Sequence, residues 1–225
     1  MEFNGFPDPD GGFFHELAAR QSREWFQANR KRYEEHYLGP MKALLAELAP
    51  RIEGLFAGRT VSEPRVFRIN RDVRFSPDKS PYKTQIGGWL GVEQPEMTAP
   101  LPAVAYVQLG METFAGAGHY VLDGGQLARF RAAIADDKTG GALAGIIDRL
   151  QGQGHRPDGH DVLKRVPRGF DPEHPRAGLL KWKALTDRFP QPPRETVGSA
   201  AFVDWLVERT AEVAPLVTWL ADVTG

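Results

Sequence analysis

Between residues 64 and 120 the chain passes through four short runs of β-branched and aromatic residues, at 64–75, 82–92, 103–109 and 112–120, each bounded by proline, glycine or aspartate. Runs of this length and composition read as strands. Strands in such close succession favour an antiparallel meander, with helices covering one face. The flanking sequence supplies the helices. Residues 13–20 make a short one. Ser22 is placed to cap the next, over 23–38, where Trp25, Phe26, Tyr33 and Tyr37 form an aromatic stripe for packing or for walling a pocket. Gly39-Pro40 closes that helix and opens another, with Met41, Leu44, Leu45, Leu48, Ile52 and Leu55 on a helical period up to Gly58. After the strands, Asp123 and Gln126 have capping-box spacing, and helices follow near 127–134 and 139–150. A strand at 162–166, one helical turn at 177–180, an edge strand at 181–189 and a helix over 199–223, kinked or split by Pro215 near Ala211, complete the expected order. The loop between the second and third strands spans 95–102. The fold class is α+β: one domain over residues 1–225, mainly an antiparallel sheet of about four to six strands packed against N- and C-terminal helices.

The first strand pair also concentrates charge. Read as a strand, 64–75 places Arg68, Asn70, Asp72 and Arg74 on one face and Phe67, Ile69, Val73 and Phe75 on the other, with Arg71 among the apolar side chains. The SPDKSP that follows is turn chemistry, and Gly87 and Gly88 mark a bulge or a close backbone approach. Residues 64–83 carry six basic side chains against Asp72 and Asp78. A second segment, 164–183, carries Lys164, Arg165, Arg168, Arg176, Lys181 and Lys183 against Asp171 and Glu173. With a net charge of −1, the rest of the chain is strongly acidic. Two cationic segments on an acidic body make one focused patch if they meet in space. If they do not, or if internal carboxylates pair them, each is a solvated or structural face.

Composition excludes several chemistries. With no cysteine there are no disulfides, thiolate catalysis or cysteine-zinc sites, which suits a reducing, cytoplasmic setting. The N-terminal residues show no signal-peptide pattern, and no apolar run reaches membrane-spanning length. His155 and His160 lie in a polar, glycine-rich loop without ligand spacing, so no metal is expected. Gly116 and Gly118 before His119 lack the third glycine of a dinucleotide fingerprint. No cofactor can be named.

RDVRFSPDKSPYKTQIGG, preceded by FRIN, resembles the hallmark of the domain of unknown function 2461 family, conserved hypothetical proteins of bacteria and fungi. The resemblance extends to REWFQANRKRY near the start and LKRVPRGFDPEHPRAGLLKWK near the end, and so covers most of the chain. It implies a whole-chain domain and groups the same two basic segments. It implies no reaction.

Three functions are open. The first is binding of an anionic, phosphorylated ligand by Arg68, Arg74, Lys79 and Lys83 from one segment and Lys164, Arg165, Arg168 and Lys181 from the other. The second is an enzyme on such a ligand, with Asp72, His119, His174 and Tyr82 as acid-base groups, although Asp72 is better suited to orienting Arg68 or Arg74. The third is a nucleic-acid or protein interaction module in which Trp25, Tyr82 and Trp182 stack bases, a reading that the net charge disfavours.

Overall fold

The computed structural model describes residues 2–93 and 102–225, so most of the loop expected over 95–102 lies outside the described residues. The N-terminal third is helical: α1 (Gly12–Ala19), α2 (Arg23–Tyr33), a π-helical turn (Glu34–Leu38) and α3 (Gly39–Ile52). Asp8 caps α1 by accepting from the backbone N–H groups of Gly12 at 3.1 Å and Phe13 at 3.2 Å. Tyr37 Oη donates to the same carboxylate at 2.5 Å. Ser22 Oγ caps α2 by accepting from Trp25 N. The expected break at Gly39-Pro40 is a widened turn instead. Gly39 N–H reaches back five residues to Glu34 O, and Pro40 then sits in the first turn of α3, where a helix needs no donor. Phe26, Tyr33 and Tyr37 of the aromatic stripe are buried in the core.

Among the described residues seven strands follow: β1 (Thr60–Val61), β2 (Arg65–Val66), β3 (Gln85–Glu93), β4 (Ala103–Gly110), β5 (Phe114–His119), β6 (Arg156–Asp158) and β7 (Leu185–Arg188). They form one sheet in the order β1-β3-β4-β5-β7-β6, with β2 also paired to β3, and each pairing is antiparallel. The meander β3-β4-β5 is as expected. The long first strand is not. Only Arg65–Val66 pairs with β3, and the chain then leaves the sheet, touching the returning segment again at the Asn70–Tyr82 bridge. The reason is local competition. Asp72 and Asp78 bond the backbone N–H groups of Arg74 and Ser80, two residues on, which turns the chain where a ladder would have continued. Residues 162–166 form no strand. The sheet's far edge is β6, so β7 lies inside the sheet and not at its edge.

The remaining helices are α4 (Gly124–Ala135), α5 (Asp137–Gly152), α6 (Ala177–Leu180), α7 (Arg194–Val197) and α8 (Ala201–Thr224). Asp123 and Gln126 form the expected capping box. α8 runs on through Pro215 without a break. Pro215 and Ala211, one turn apart, are both exposed, so water can satisfy the Ala211 carbonyl that loses its donor.

Helices cover one face of the sheet. α3 lies against β3, and α8 against β4 and β5. Ile86, Leu90, Val107, Leu109, Ala115 and Leu185 point into the continuous core beneath them. Gly88 sits on this face because a Cβ there would lie 2.7 Å from Leu45 and 3.1 Å from Met41 on α3. Among the described residues the other face of the sheet carries no helix, and that face holds the site.

Candidate functional site on the open sheet face

Strand alternation decides what the open face displays. On β3 the residues between Ile86, Gly88 and Leu90 are Gln85, Gly87 and Trp89. On β4 they are Tyr106 and Gln108, and on β5 Phe114, Gly116 and Gly118. Thr186 and Arg188 of β7 and Arg156 and Asp158 of β6 extend the same surface. Together with Phe67 and Lys83 at the β2 edge they line a groove of about 1570 Å³.

Register places one transverse row across the sheet. Arg65 is opposite Trp89, Trp89 opposite Tyr106, Tyr106 opposite Gly116, Gly116 opposite Arg188, and Arg188 opposite Arg156. The row therefore reads cation, ring, ring, glycine, cation, cation. Five strand spacings make it about 24 Å long. The middle is glycine for a packing reason: a Cβ at Gly116 would lie 2.4 Å from the carbonyl oxygen of Asp187.

The rings are close to one another and to the cations. Ring centroids of Phe67 and Tyr106 are 6.4 Å apart, and those of Tyr106 and Phe114 are 5.6 Å apart. The Arg65 guanidinium lies 5.5 Å from the Trp89 ring, that of Arg188 4.4 Å from the Phe114 ring, and the Lys83 ammonium 5.2 Å from the Phe67 ring. Tyr120 stacks on His160 at 4.3 Å at one end. Burial pushes the Tyr106 hydroxyl up to about 12, so it stays a donor and bonds Gln108 Oε1 at 2.9 Å. Partial burial, and then the charge of Arg68, hold the Lys83 ammonium below the usual lysine range. Arg188 pairs with Glu112 at 2.7 Å. Among the described residues no carboxylate lies within 4 Å of the charged ends of Arg65, Lys83 or Arg156. Glu93 and Asp158 are the acidic side chains exposed along the groove.

Of the eight cations singled out in the sequence, Lys83 borders this groove. Arg74 is occupied by Asp72, which accepts from its Nε at 3.0 Å and its Nη2 at 2.7 Å. That side-chain bond, a backbone bond and the charge of Arg68 hold Asp72 below the usual carboxylate range. Asp72 thus orients Arg74. Lys79 Nζ donates to Val73 O at 2.9 Å, and Arg71 pairs with Asp78. These residues belong to an outer loop whose Phe75 is 92% exposed. The second basic segment does not line the groove. Lys164, Arg165 and Arg168 are exposed elsewhere, Lys181 is half-buried, and Arg176 and Trp182 border a separate shallow cleft of about 330 Å³.

The four acid-base candidates are scattered. His119 is buried at the end of β5, with Nδ1 3.5 Å from Thr224 Oγ1. His174 donates from Nε2 to Ala135 O at 3.2 Å and accepts from Arg176 N at Nδ1. Tyr82 is buried and stacked on Phe26 at 4.4 Å, which also withdraws it from base stacking. Asp72 is on the outer loop. Among the described residues no cluster of three or more histidines and carboxylates is arranged to hold a metal ion.

Behind the sheet lies a buried ionic chain that the sequence did not reveal. His155 Nδ1 is 2.5 Å from Asp187 Oδ2, and its Nε2 is 2.7 Å from Glu212 Oε2 on α8. Burial disfavours the imidazolium, but the bonds and charges of Asp187 and Glu212 outweigh it and carry the His155 pKa above its usual value. Arg209 extends the chain to Glu212 at 2.9 Å. These groups fasten the paired strands β6 and β7 to α8.

The family model of a conserved hypothetical protein, DUF2461, matches residues 11–219. The chain belongs to the DUF2461 family. No curated protein and no solved structure matches it. In this DUF2461 member the RDVRFSPDKSPYKTQIGG segment runs from the outer loop into β3 and so leads the chain onto the open face. What the sequence reading missed is the other side of the groove: Trp89, Tyr106, Phe114, Arg156 and Arg188. The available signal was the alternation of Gln85, Gly87 and Trp89 with Ile86, Gly88 and Leu90, which marks a second, non-core face on β3.

Among the described residues no helix is long and apolar enough to cross a membrane.

Proposed function

We propose that the open sheet face binds an anionic ligand, with Arg65 and Lys83 at one edge and Arg188 and Arg156 at the other. The observation that carries this reading is the Arg188–Arg156 pair. Like charges directly opposite on antiparallel strands are destabilising, by roughly 0.2–1 kcal/mol. Glu112 offsets part of the repulsion at Arg188, while Arg156 keeps its charge with no carboxylate partner among the described residues. A bound anion turns that repulsion into attraction. A phosphoryl group suits the planar forks of arginine. No catalytic step is part of this reading, because of the four acid-base candidates His119 alone borders the groove, and it is buried. A cytoplasmic setting belongs to the same proposal and rests on the cysteine-free sequence.

Calorimetric titration with inorganic tripolyphosphate tests it. The wild-type protein binds. Arg156→Gln combined with Arg188→Gln weakens binding at least ten-fold, while Arg74→Ala combined with Lys79→Ala, on the outer loop, leaves it within about two-fold. Absence of binding by the wild type, or equal binding by all three proteins, overturns the reading.

A further inference from the structure

We infer that the occupant of the open face is a short single strand of nucleic acid, a deepening that rests on the anion-binding reading above. Three observations separate a nucleotide chain from a simple phosphate. The first is the interleaving of charge and rings. An inorganic anion needs clustered cations, whereas here Trp89 and Tyr106 stand between Arg65 and Arg188 in one row. Alternating phosphates and bases match that order, with bases on rings and phosphates on guanidinium groups. The second is size. A groove of about 1570 Å³ exceeds the roughly 300–1,000 Å³ of ordinary small-ligand pockets, and the row spans about 24 Å. The cations at its two ends are too far apart to share one phosphate, yet within reach of phosphates several nucleotides apart on one chain.

The third is the floor. Gly116 and Gly118 place no side chain of their own on the floor beside Tyr106 and Phe114, so a flat base can lie along the backbone there, while Tyr106 and Phe67 cover Gly87. Gln85 and Thr186 supply an amide and a hydroxyl group on the same surface for base edges. Rings fixed on a sheet can meet only unstacked bases, so a duplex, whose bases are stacked and paired, has no equivalent fit. The overall charge of −1 does not oppose this, because Arg65, Lys83, Arg156 and Arg188 outnumber the exposed Glu93 and Asp158 along the groove. The rings that do the stacking are not those expected from the sequence: Tyr82 is buried, and Trp25 and Trp182 lie outside the groove.

Fluorescence anisotropy with 5′-labelled twelve-residue oligo-U and oligo-dT tests the inference. Binding of either supports it, and the comparison shows which sugar is preferred. Four phosphate contacts predict that affinity falls about fifty-fold between 50 and 200 mM salt. Tyr106→Ala and Tyr106→Leu each weaken oligonucleotide binding roughly five- to hundred-fold while leaving tripolyphosphate binding unchanged. Circular dichroism melting shows whether those variants are folded. If either is not, competition on the wild type decides: inorganic polyphosphate at equal phosphate concentration displaces less than a tenth of the bound oligonucleotide. Displacement in proportion to phosphate, or equal affinity for a twelve-base-pair duplex, overturns the inference and leaves anion binding standing. Absence of both oligonucleotide and tripolyphosphate binding overturns both.

Discussion

His155 shows how one side chain can hold two elements together at a cost. Its ring is fully buried between Asp187 and Glu212, so each neighbour neutralises a charge that would otherwise be desolvated alone. Replacing it by glutamine leaves the Asp187 carboxylate buried without its counterion, and His155→Gln should destabilise the protein by about 3 kcal/mol in urea unfolding. The pH dependence follows from the direction of the shift. A histidine whose folded pKa is raised holds its proton more tightly than the unfolded chain does. Its contribution is complete below the unfolded value of about 6.5 and is lost as pH rises through the folded value. Burial also raises Asp187, which has the same sign. The urea midpoint of the wild type should therefore fall between pH 6 and pH 9, and that of His155→Gln should fall less. A wild-type midpoint that rises over this range would show that the ring is not held as imidazolium.

At the scale of elements, the contact of α3 with β3 depends on the absence of a side chain at Gly88. A methyl group there meets Leu45 and Met41 within contact distance, and neither can retreat freely from a filled core. Gly88→Ala should cost about 1–3 kcal/mol, read as a lower melting temperature. Because Gly88 faces the helices and its neighbours Gly87 and Trp89 face the groove, this substitution should leave tripolyphosphate affinity in the folded fraction unchanged. Much at this scale was legible from the chain alone. The Ser22 cap, the Asp123–Gln126 box and the helical period of α3 depend on residues within one or two turns of each other, and they formed as read. The strand expected over 64–75 did not. Its alternation was real, but Asp72 and Asp78 offered the backbone nearer partners than the sheet did.

For the whole molecule, the two basic segments that dominate the charge pattern do not share the groove. Lys164, Arg165 and Arg168 are solvated at a different place on the surface. Changing all three to glutamine should leave tripolyphosphate affinity within about two-fold at 150 mM salt, where screening confines their influence to roughly 8 Å. A ten-fold loss in calorimetry would bring that segment back into the site.

Fold class was written locally. Hydrophobic period and turn residues are short-range properties, and they sufficed to specify α+β with an antiparallel meander beneath helices. The site was not, because it is a property of register. Arg65, Trp89, Tyr106, Gly116, Arg188 and Arg156 come from six strands, and nothing in their spacing along the chain links them. A slip of one residue in any pairing would turn that strand's contribution into the core. Burying Ile86, Leu90, Val107, Leu109, Ala115 and Leu185 together selects the register, and the row of rings and cations on the opposite face follows from it.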